Sequence, residues 1–175
     1  MTEGFQVLLS SVPRVGRVEW IGVRPARREP MIVVDSVAAR EGRGLSGDRF
    51  SGGASSKRQV TLIQSEHLSV IAELLGQARI DPALLRRNIV VSGINLLSLN
   101  GAQFTIGGAL MEGTGPCHPC SRMEETFGPG GHSAVRGHGG ITARVLSGGI
   151  VRIGEPVRFI RRSGGASDKQ SELAF

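Results

Sequence analysis

The chain of 175 residues has the length of one domain, and its 39% of hydrophobic residues can bury a continuous core without disulfide bonds. It shows no basic-then-apolar leader and no apolar run of membrane-spanning length, so we expect a cytoplasmic protein without membrane contacts. A net charge of +6 favours an anionic partner, whereas 4% aromatic residues and no tyrosine argue against nucleic-acid binding by base stacking.

Short β-type runs bounded by Gly, Pro, Asn or Asp recur along the chain, which is typical of a barrel or a sandwich. The predicted strands are residues 15–23, 31–34, 59–63, 88–91, 103–106, 109–112, 143–146, 149–153 and 157–160. Between them, Leu68, Ile71, Ala72 and Leu75 recur at helical spacing. This spacing predicts an amphipathic helix over residues 65–75.

A short second helix is predicted at residues 81–87, because Asp81 is a good N-cap and Pro82 suits the first helical position. The fold class is therefore mainly β with a few helical insertions. We expect a single domain over residues 1–160. The Gly- and Ser-rich, then polar, segment 161–175 buries little apolar surface, so we expect a mobile tail.

The sequence also contains a Gly-rich segment and two groups of basic residues. The Gly-rich segment 42–58 surrounds Asp48 and Arg49, and loops of this length are usually functional or disordered. Two groups of basic residues fit an ordinary solvated surface. They are Arg24, Arg27 and Arg28, and the pair Arg161 and Arg162.

The two cysteines of the chain, Cys117 and Cys120, lie in one Pro- and Gly-bounded turn over residues 113–125. Two thiols at this spacing can chelate a metal, cycle as a disulfide or present one thiolate to a cofactor. The polar neighbours of the pair, such as Arg122, argue against a purely structural turn in the core.

A zinc-finger interpretation is suggested by the Cys-x2-Cys-x11-His-x5-His spacing that His132 and His138 complete. Glycines surround both histidines, and each glycine costs a helix about 1 kcal/mol. The segment also continues into a predicted strand, which is unlike an autonomous finger. We therefore disfavour zinc.

A thioredoxin-like redox site would need a helix directly after the cysteines, and Ser121–Phe127 could form one. That fold also requires long helices alternating with strands. The chain offers too little helix for it, so a thiolate facing a cofactor remains the preferred interpretation.

Five blocks of the chain carry a family resemblance. They are GLSGDRF at 44–50, KRQVTLI at 57–63, LRRNIVVSG at 85–93, GPCHPCSRME at 115–124 and GHGGITARVL at 137–146. In this order they resemble the successive motifs of the MOSC family, named for the C-terminal domain of molybdenum-cofactor sulfurases. The resemblance is to the small stand-alone members and covers about residues 42–158.

The resemblance implies a MOSC-type β-barrel, like that of pyruvate kinase, and a molybdenum cofactor, molybdopterin. It also implies that Cys120, the cysteine of the Pro-Cys pair, carries sulfur or ligates the metal. The role of Cys117 stays open. At the level of the family, pyridoxal phosphate is a further association.

Other residues are candidates for holding such a cofactor. A pterin phosphate needs forked cationic donors, for which Arg58 and Arg87 with Asn88 are candidates, although an arginine at a helix end also stabilises the helix dipole. Asp48 could accept hydrogen bonds from the pterin or assist proton transfer, with Gly47 allowing close backbone approach, or it could simply form a turn. His118 could tune or protonate the thiols, or face solvent.

Two functions follow. The first is a molybdoenzyme that reduces N-hydroxylated or N-oxygenated compounds and receives electrons from an external reductase. The second is a non-catalytic carrier of sulfur, as a persulfide, or of the cofactor, which would then come from a cofactor-donating protein. No residue separates the two.

Overall fold

The computed structural model describes residues 3–163. The helices are α1 (Glu3–Ser10), α2 (Ser65–Leu74), α3 (Pro82–Leu85), α4 (Ser121–Phe127) and α5 (Gly131–Val135), with a 3₁₀ helix at Leu96–Leu99. The strands are β1 (Gly16–Val23), β2 (Ile32–Val33), β3 (Ser36–Arg40), β4 (Gly44–Leu45), β5 (Val60–Gln64), β6 (Ile89–Ser92), β7 (Ala102–Ile106), β8 (Ala109–Pro116), β9 (Ile141–Ser147), β10 (Gly149–Arg152) and β11 (Pro156–Arg162).

Seven strands close into a mixed barrel in the order β11-β7-β8-β9-β5-β6-β1, and β1 pairs back onto β11. β5 and β6 are parallel, so the chain between them must cross over, and α2 and α3 form that crossover. β10, β3 and β4 form a separate three-stranded sheet. This architecture confirms the predicted class, a mainly β barrel with a few helices.

Alternating burial along the strands explains why the sheet closes around one core. In β7, Ala102, Phe104 and Ile106 are buried while the residues between them are less so. Phe104 and Ile106 join a large apolar cluster inside the barrel. The barrel is therefore filled by side chains, and any ligand must bind at its surface or at one end.

A second apolar cluster lies outside the barrel and anchors the helices to β5 and β6. It contains Ile71 of α2, Leu85 of α3, Met123 of α4 and Val135 of α5, together with Val90 of β6. Because Met123 is buried three residues after Cys120, this cluster fixes the start of α4 and the position of that cysteine.

The nine predicted strands and the predicted helices are all present, with shifted ends. The N-cap role of Asp81 is confirmed, since its carboxylate accepts a 2.9 Å hydrogen bond from the main-chain N–H of Ala83. Helix α2 ends at Leu74, and β8 runs on from the predicted end at 112 to Pro116. That extension carries the sheet directly into the cysteine turn.

Several elements differ from the sequence predictions. Helix α1 and the short strands β3 and β4 were not predicted. The domain does not end at 160, because β11 pairs with β7 through Arg162 and the Arg162 guanidinium donates to the carbonyls of Ser98 and Asn100. The rest of the predicted tail, residues 164–175, lies outside the described residues.

The glycines near His132 do not prevent a helix. Helix α5 contains His132 and is only five residues long, so the helical cost of glycine is small. Glu124 of α4 caps it by accepting hydrogen bonds from the main-chain N–H groups of Gly130 and His132, at 2.8 and 2.9 Å. No helix in the described part of the chain has the length and apolar character needed to cross a membrane.

Candidate active site

A cavity of about 350 Å³ lies where four segments of the chain meet. The segments are the end of β1, the loop between β4 and β5, the junction of α3 with β6, and the turn between β8 and α4. Its lining includes both cysteines, the carboxylate of Asp48 and six arginines. The arginines are Arg24, Arg49, Arg58, Arg86, Arg87 and Arg122.

The two cysteines face this cavity in different ways. Cys117 is 2% exposed, its main-chain N–H donates a 2.8 Å hydrogen bond to the carbonyl of Gly140, and its sulfur accepts a 3.7 Å contact from Nη2 of Arg58. Cys120 is exposed and occupies the N-cap of α4 without making a side-chain cap bond. Cys120 is therefore the thiol that a ligand or a second protein can reach.

Arg87 holds the cysteine turn in place. Its guanidinium donates three hydrogen bonds to main-chain carbonyls, to Gly139 at 2.7 Å, Leu85 at 2.9 Å and Cys117 at 3.3 Å. Burial lowers the pKa of Arg87, the largest effect on this group, but an arginine stays charged in a protein. Three of its five N–H groups are thus used, and the side chain joins three segments of the site.

Two glycines allow this close packing. A side chain at Gly139 would collide with the carbonyl oxygen of Cys117, and one at Gly140 would collide with the carbonyl of Leu62. Gly140 also has a φ of +82°, which favours glycine. The GHGG motif is explained by this approach of backbone to backbone behind Cys117.

Asn88 positions Asp48. Its Oδ1 accepts hydrogen bonds from the main-chain N–H and the hydroxyl of Thr61, both at 3.0 Å, and its Nδ2 donates to the carbonyl of Gly22 at 3.2 Å and to Oδ1 of Asp48 at 3.1 Å. These four bonds use the whole capacity of the amide. The side chain of Asn88 therefore supports the site rather than binding a cofactor directly.

Asp48 is held by three donors and partly withdrawn from water. Besides Asn88, the main-chain N–H groups of Arg24 and Phe50 donate to its carboxylate, at 2.9 and 3.3 Å. Burial raises the pKa of Asp48 above its ordinary value of 3.8, although the hydrogen bonds from Phe50 and Asn88 and the charge of Arg49 oppose the rise. Gly47 does not line the cavity, and its φ of +81° makes it the turn residue that presents Asp48.

Arg86 and Arg122 bring positive charge close to Cys120. Arg86 ends α3 in the left-handed conformation, with φ +59° and ψ +33°, and this turn directs two consecutive arginines into the site. Burial and the neighbouring charge of Arg122 lower the pKa of Arg86, burial having the larger effect. Arg86 and Arg122 thus make the surroundings of Cys120 electropositive.

Arg24 corrects one sequence prediction. It was grouped with Arg27 and Arg28 as ordinary surface, and those two are exposed. Arg24 instead lines the cavity, and its Nε and Nη1 are buried without a hydrogen-bond partner among the described residues. The local sequence does not distinguish Arg24 from its exposed neighbours, because the contact that places it is a main-chain hydrogen bond to Asp48.

Sequence reasoning also missed Arg49, Arg86 and Arg122 as cavity residues, although all three lie inside or beside the motif blocks. His118 is exposed and does not line the cavity. Within residues 3–163, no three His, Cys, Asp or Glu side chains form a group that could hold a metal ion. His138 packs edge to face against His67, with ring centroids 5.2 Å apart.

The fold and the site define a class: a small mixed β-barrel protein with an open cavity that combines thiols and guanidinium groups. The family model of the MOSC domain matches residues 46–158, and the chain belongs to this family. The family is associated with the molybdenum cofactor. No curated protein sequence matches the chain.

Solved structures show the same fold. The YuaD protein from Bacillus subtilis has a TM-score of 0.71 at 22% identity, over 83% of this chain and 96% of that one. YiiM from Geobacillus stearothermophilus has a TM-score of 0.70 at 22% identity, over 86% and 78%. YiiM from Escherichia coli has 0.66 at 23%, over 86% and 71%.

Proposed function

We propose that the protein is a molybdenum-cofactor-dependent reductase of N-hydroxylated compounds, in which the thiolate of Cys120 ligates the metal. The observation that carries this proposal is the exposure of Cys120 at the rim of a cavity lined by six arginines. A soft thiolate suits molybdenum, and guanidinium groups suit a phosphate. The family's association with the cofactor supports the same conclusion.

The donor set fits the cofactor. Arg58 is exposed and lines the cavity, and within residues 3–163 its guanidinium makes one hydrogen bond, to the sulfur of Cys117. It therefore keeps donors for a phosphate. Arg87 has two N–H groups beyond those that hold the cysteine turn. Bound there, the cofactor would supply the two-electron redox chemistry of N–O bond reduction.

Side chains of the protein itself would supply protons and positive charge to the reaction. Reduction of a hydroxylamine to an amine and water consumes two electrons and two protons, and Asp48 is the cavity carboxyl whose raised pKa suits proton delivery. Arg86 and Arg122 would place positive charge beside the metal-binding end of the cavity. The electrons would come from an external reductase, which is the partner that the proposal requires.

The experiment is purification from a host that makes molybdenum cofactor, followed by elemental analysis and reduction of a hydroxylamine with a reduced artificial dye. We expect near-stoichiometric molybdenum and turnover, both lost in Cys120→Ser and both kept in the control Ser121→Ala. Ser121 is exposed and does not line the cavity. Stoichiometric zinc without molybdenum would overturn the proposal.

A carrier function is favoured by one observation, the accessibility of Cys120 to a second protein. A carrier would hold sulfur as a persulfide, or the cofactor, for transfer to another enzyme. Mass spectrometry of the isolated protein would show a persulfide as an added sulfur on Cys120. Release of the cofactor to an acceptor enzyme without hydroxylamine turnover would also support the carrier.

A further inference from the structure

Arg24 is a cavity arginine whose guanidinium is partly buried. The buried Nε and Nη1 of Arg24 have no hydrogen-bond partner in residues 3–163. Buried polar groups in native proteins are nearly always paired, and charged ones are especially costly when unpaired. Both nitrogens are shielded from solvent in this structure, so a ligand in the cavity, which Arg24 lines, would reach these donors after a rotation of the arginine side chain.

The carboxylate of Asp48, which also lines the cavity, makes no hydrogen bond or ion pair with the guanidinium of Arg24 within the described residues. Asp48 accepts a hydrogen bond from the main-chain N–H of Arg24, at 2.9 Å, and not from its guanidinium. Arg49 is joined to the same residue, because its N–H donates to the carbonyl of Arg24 at 2.7 Å. The main chains of Arg24 and Arg49 are thus hydrogen-bonded to each other, and both side chains line the same part of the cavity as Phe50. We call this part of the cavity, formed by Arg24, Arg49 and Phe50, the corner.

This corner differs from the cysteine end of the cavity. There, Arg87 is bound to three carbonyls and Arg58 contacts the sulfur of Cys117. Those two arginines already account for one phosphate in the proposed function. Arg24 and Arg49 are additional positive charge, beyond what a cofactor with a single phosphate requires.

We propose that Arg24 and Arg49 form a subsite for an oxyanion of the phosphate class carried by the substrate, so that the protein acts on phosphorylated N-hydroxy compounds. This inference rests on the proposed function for its substrate and adds the substrate's second recognition group. The guanidinium of Arg24 offers unpaired N–H donors to the oxygens of a phosphate, and Arg49 adds a second cationic side chain. Phe50 provides an apolar surface beside them for the uncharged part of the substrate.

The test uses full-length protein from a host that makes molybdenum cofactor and from one that does not, each titrated with inorganic phosphate by calorimetry. We expect phosphate to bind both forms. Arg24→Gln should weaken binding at least about tenfold in both, because a charge-assisted bond contributes about 1.5–3 kcal/mol. The control Arg27→Gln, at an exposed neighbouring arginine, should bind like the parent. Molybdenum content should not change in either variant.

Three results would overturn the subsite. Equal phosphate affinity in Arg24→Gln and Arg27→Gln would remove Arg24 from it. Phosphate binding that disappears in the cofactor-loaded form, or molybdenum that is lost in Arg24→Gln, would assign this corner to the cofactor instead. By contrast, Arg24-dependent phosphate binding in a protein that never acquires molybdenum would support the subsite and refute only the proposed reductase.

A kinetic comparison tests the substrate class directly. With a phosphorylated and an unphosphorylated N-hydroxy compound, Arg24→Gln should raise KM at least about tenfold for the first and leave it unchanged for the second. Arg24→Lys should restore part of the difference, because an ammonium keeps the charge without the fork. Equal effects of Arg24→Gln on both compounds would contradict the proposal.

Discussion

The side-chain amide of Asn88 donates a 3.1 Å hydrogen bond to Oδ1 of Asp48, and this bond ties the start of β6 to the loop after β4. A donor stabilises the ionised carboxylate and lowers its pKa, against the larger effect of burial. Asn88→Ala should therefore raise the pKa of Asp48 further. Carbon-13 NMR of the carboxyl group during a pH titration measures this change.

The control for that experiment is Asn95→Ala, which removes a similar side-chain contact, to the N–H of Leu97, far along the chain from Asp48. It should leave the titration of Asp48 unchanged. An Asp48 titration that does not move in folded Asn88→Ala would show that the hydrogen bond has no electrostatic effect on the carboxyl.

The strands and the cysteine turn could be predicted from the sequence because their signals are local. Alternating apolar residues identify β7, and Pro116 and Pro119 identify the turn around the cysteines. By contrast, β3 and β4 carry little signal of their own. β4 has only two residues and exists because Arg40 and Ala39 pair with it.

The composition of the cavity could be predicted only in part, because it depends on distant pairs. Arg87 was recognised as a site residue, but its three carbonyl acceptors come from three segments that no spacing rule connects. Arg24 lies 24 positions before Asp48 and meets it through a main-chain N–H. A sequence pattern records the side chain and not such a contact, so Arg24 was grouped with its exposed neighbours.

Arg87 and Arg58 should respond differently to truncation. Arg87→Ala leaves three buried carbonyls without their donor and should cost about 2–4 kcal/mol of the free energy of unfolding. Arg58→Ala should leave stability almost unchanged, since Arg58 is exposed, and should weaken cofactor binding. Urea unfolding and cofactor titration, run on both variants, separate the two effects.

Lysine replacements sharpen this comparison. Arg87→Lys should recover only part of the lost stability, because one ammonium cannot reach three carbonyls in different directions. If Arg87→Ala unfolded at the same urea concentration as the parent, the stabilisation of the cysteine turn by Arg87 would be refuted.

Replacing Cys120 and replacing Cys117 should have different effects on stability and on molybdenum content. Cys120→Ser changes an exposed thiol, so we expect unchanged stability and a loss of molybdenum. Cys117→Ser places a hydroxyl where the sulfur is 2% exposed and should cost about 1–3 kcal/mol of stability. Denaturation and elemental analysis of both proteins would check this, and equal loss of molybdenum in two folded variants would indicate a dithiol site.

Low pH should weaken the hydrogen bonds by which Glu124 of α4 caps α5. The hydrogen bonds from the N–H groups of His132 and Gly130 lower the pKa of Glu124 below its ordinary value of 4.5. The unfolded chain therefore binds this proton first as the pH falls. The stabilisation is complete above pH 4.5 and is lost as the pH falls through the lower folded pKa.

Glu124→Gln tests this directly. It should lower the melting temperature at neutral pH, and the difference from the parent should vanish at pH values below the folded pKa. Glu125→Gln is the matched control, since Glu125 is exposed and its one ion pair, with Arg122, is 4.0 Å long. A melting difference for Glu124→Gln that persists unchanged into acid would exclude the ionised cap as its cause.

The contact between His67 and His138 predicts a second, milder pH dependence. Burial and the charge of His138 lower the pKa of His67 below its ordinary value of 6.5, so the unfolded chain binds the proton first. Stability from this site is therefore complete above pH 6.5 and falls as the pH drops toward the folded pKa. His67→Phe keeps a ring beside His138 and removes the titration of residue 67.

Melting temperatures of this variant should depend less on pH than those of the parent between pH 7 and 5. The control His132→Phe, at an exposed histidine, should follow the parent. Parallel curves for the parent and His67→Phe would show that protonation of His67 does not oppose folding.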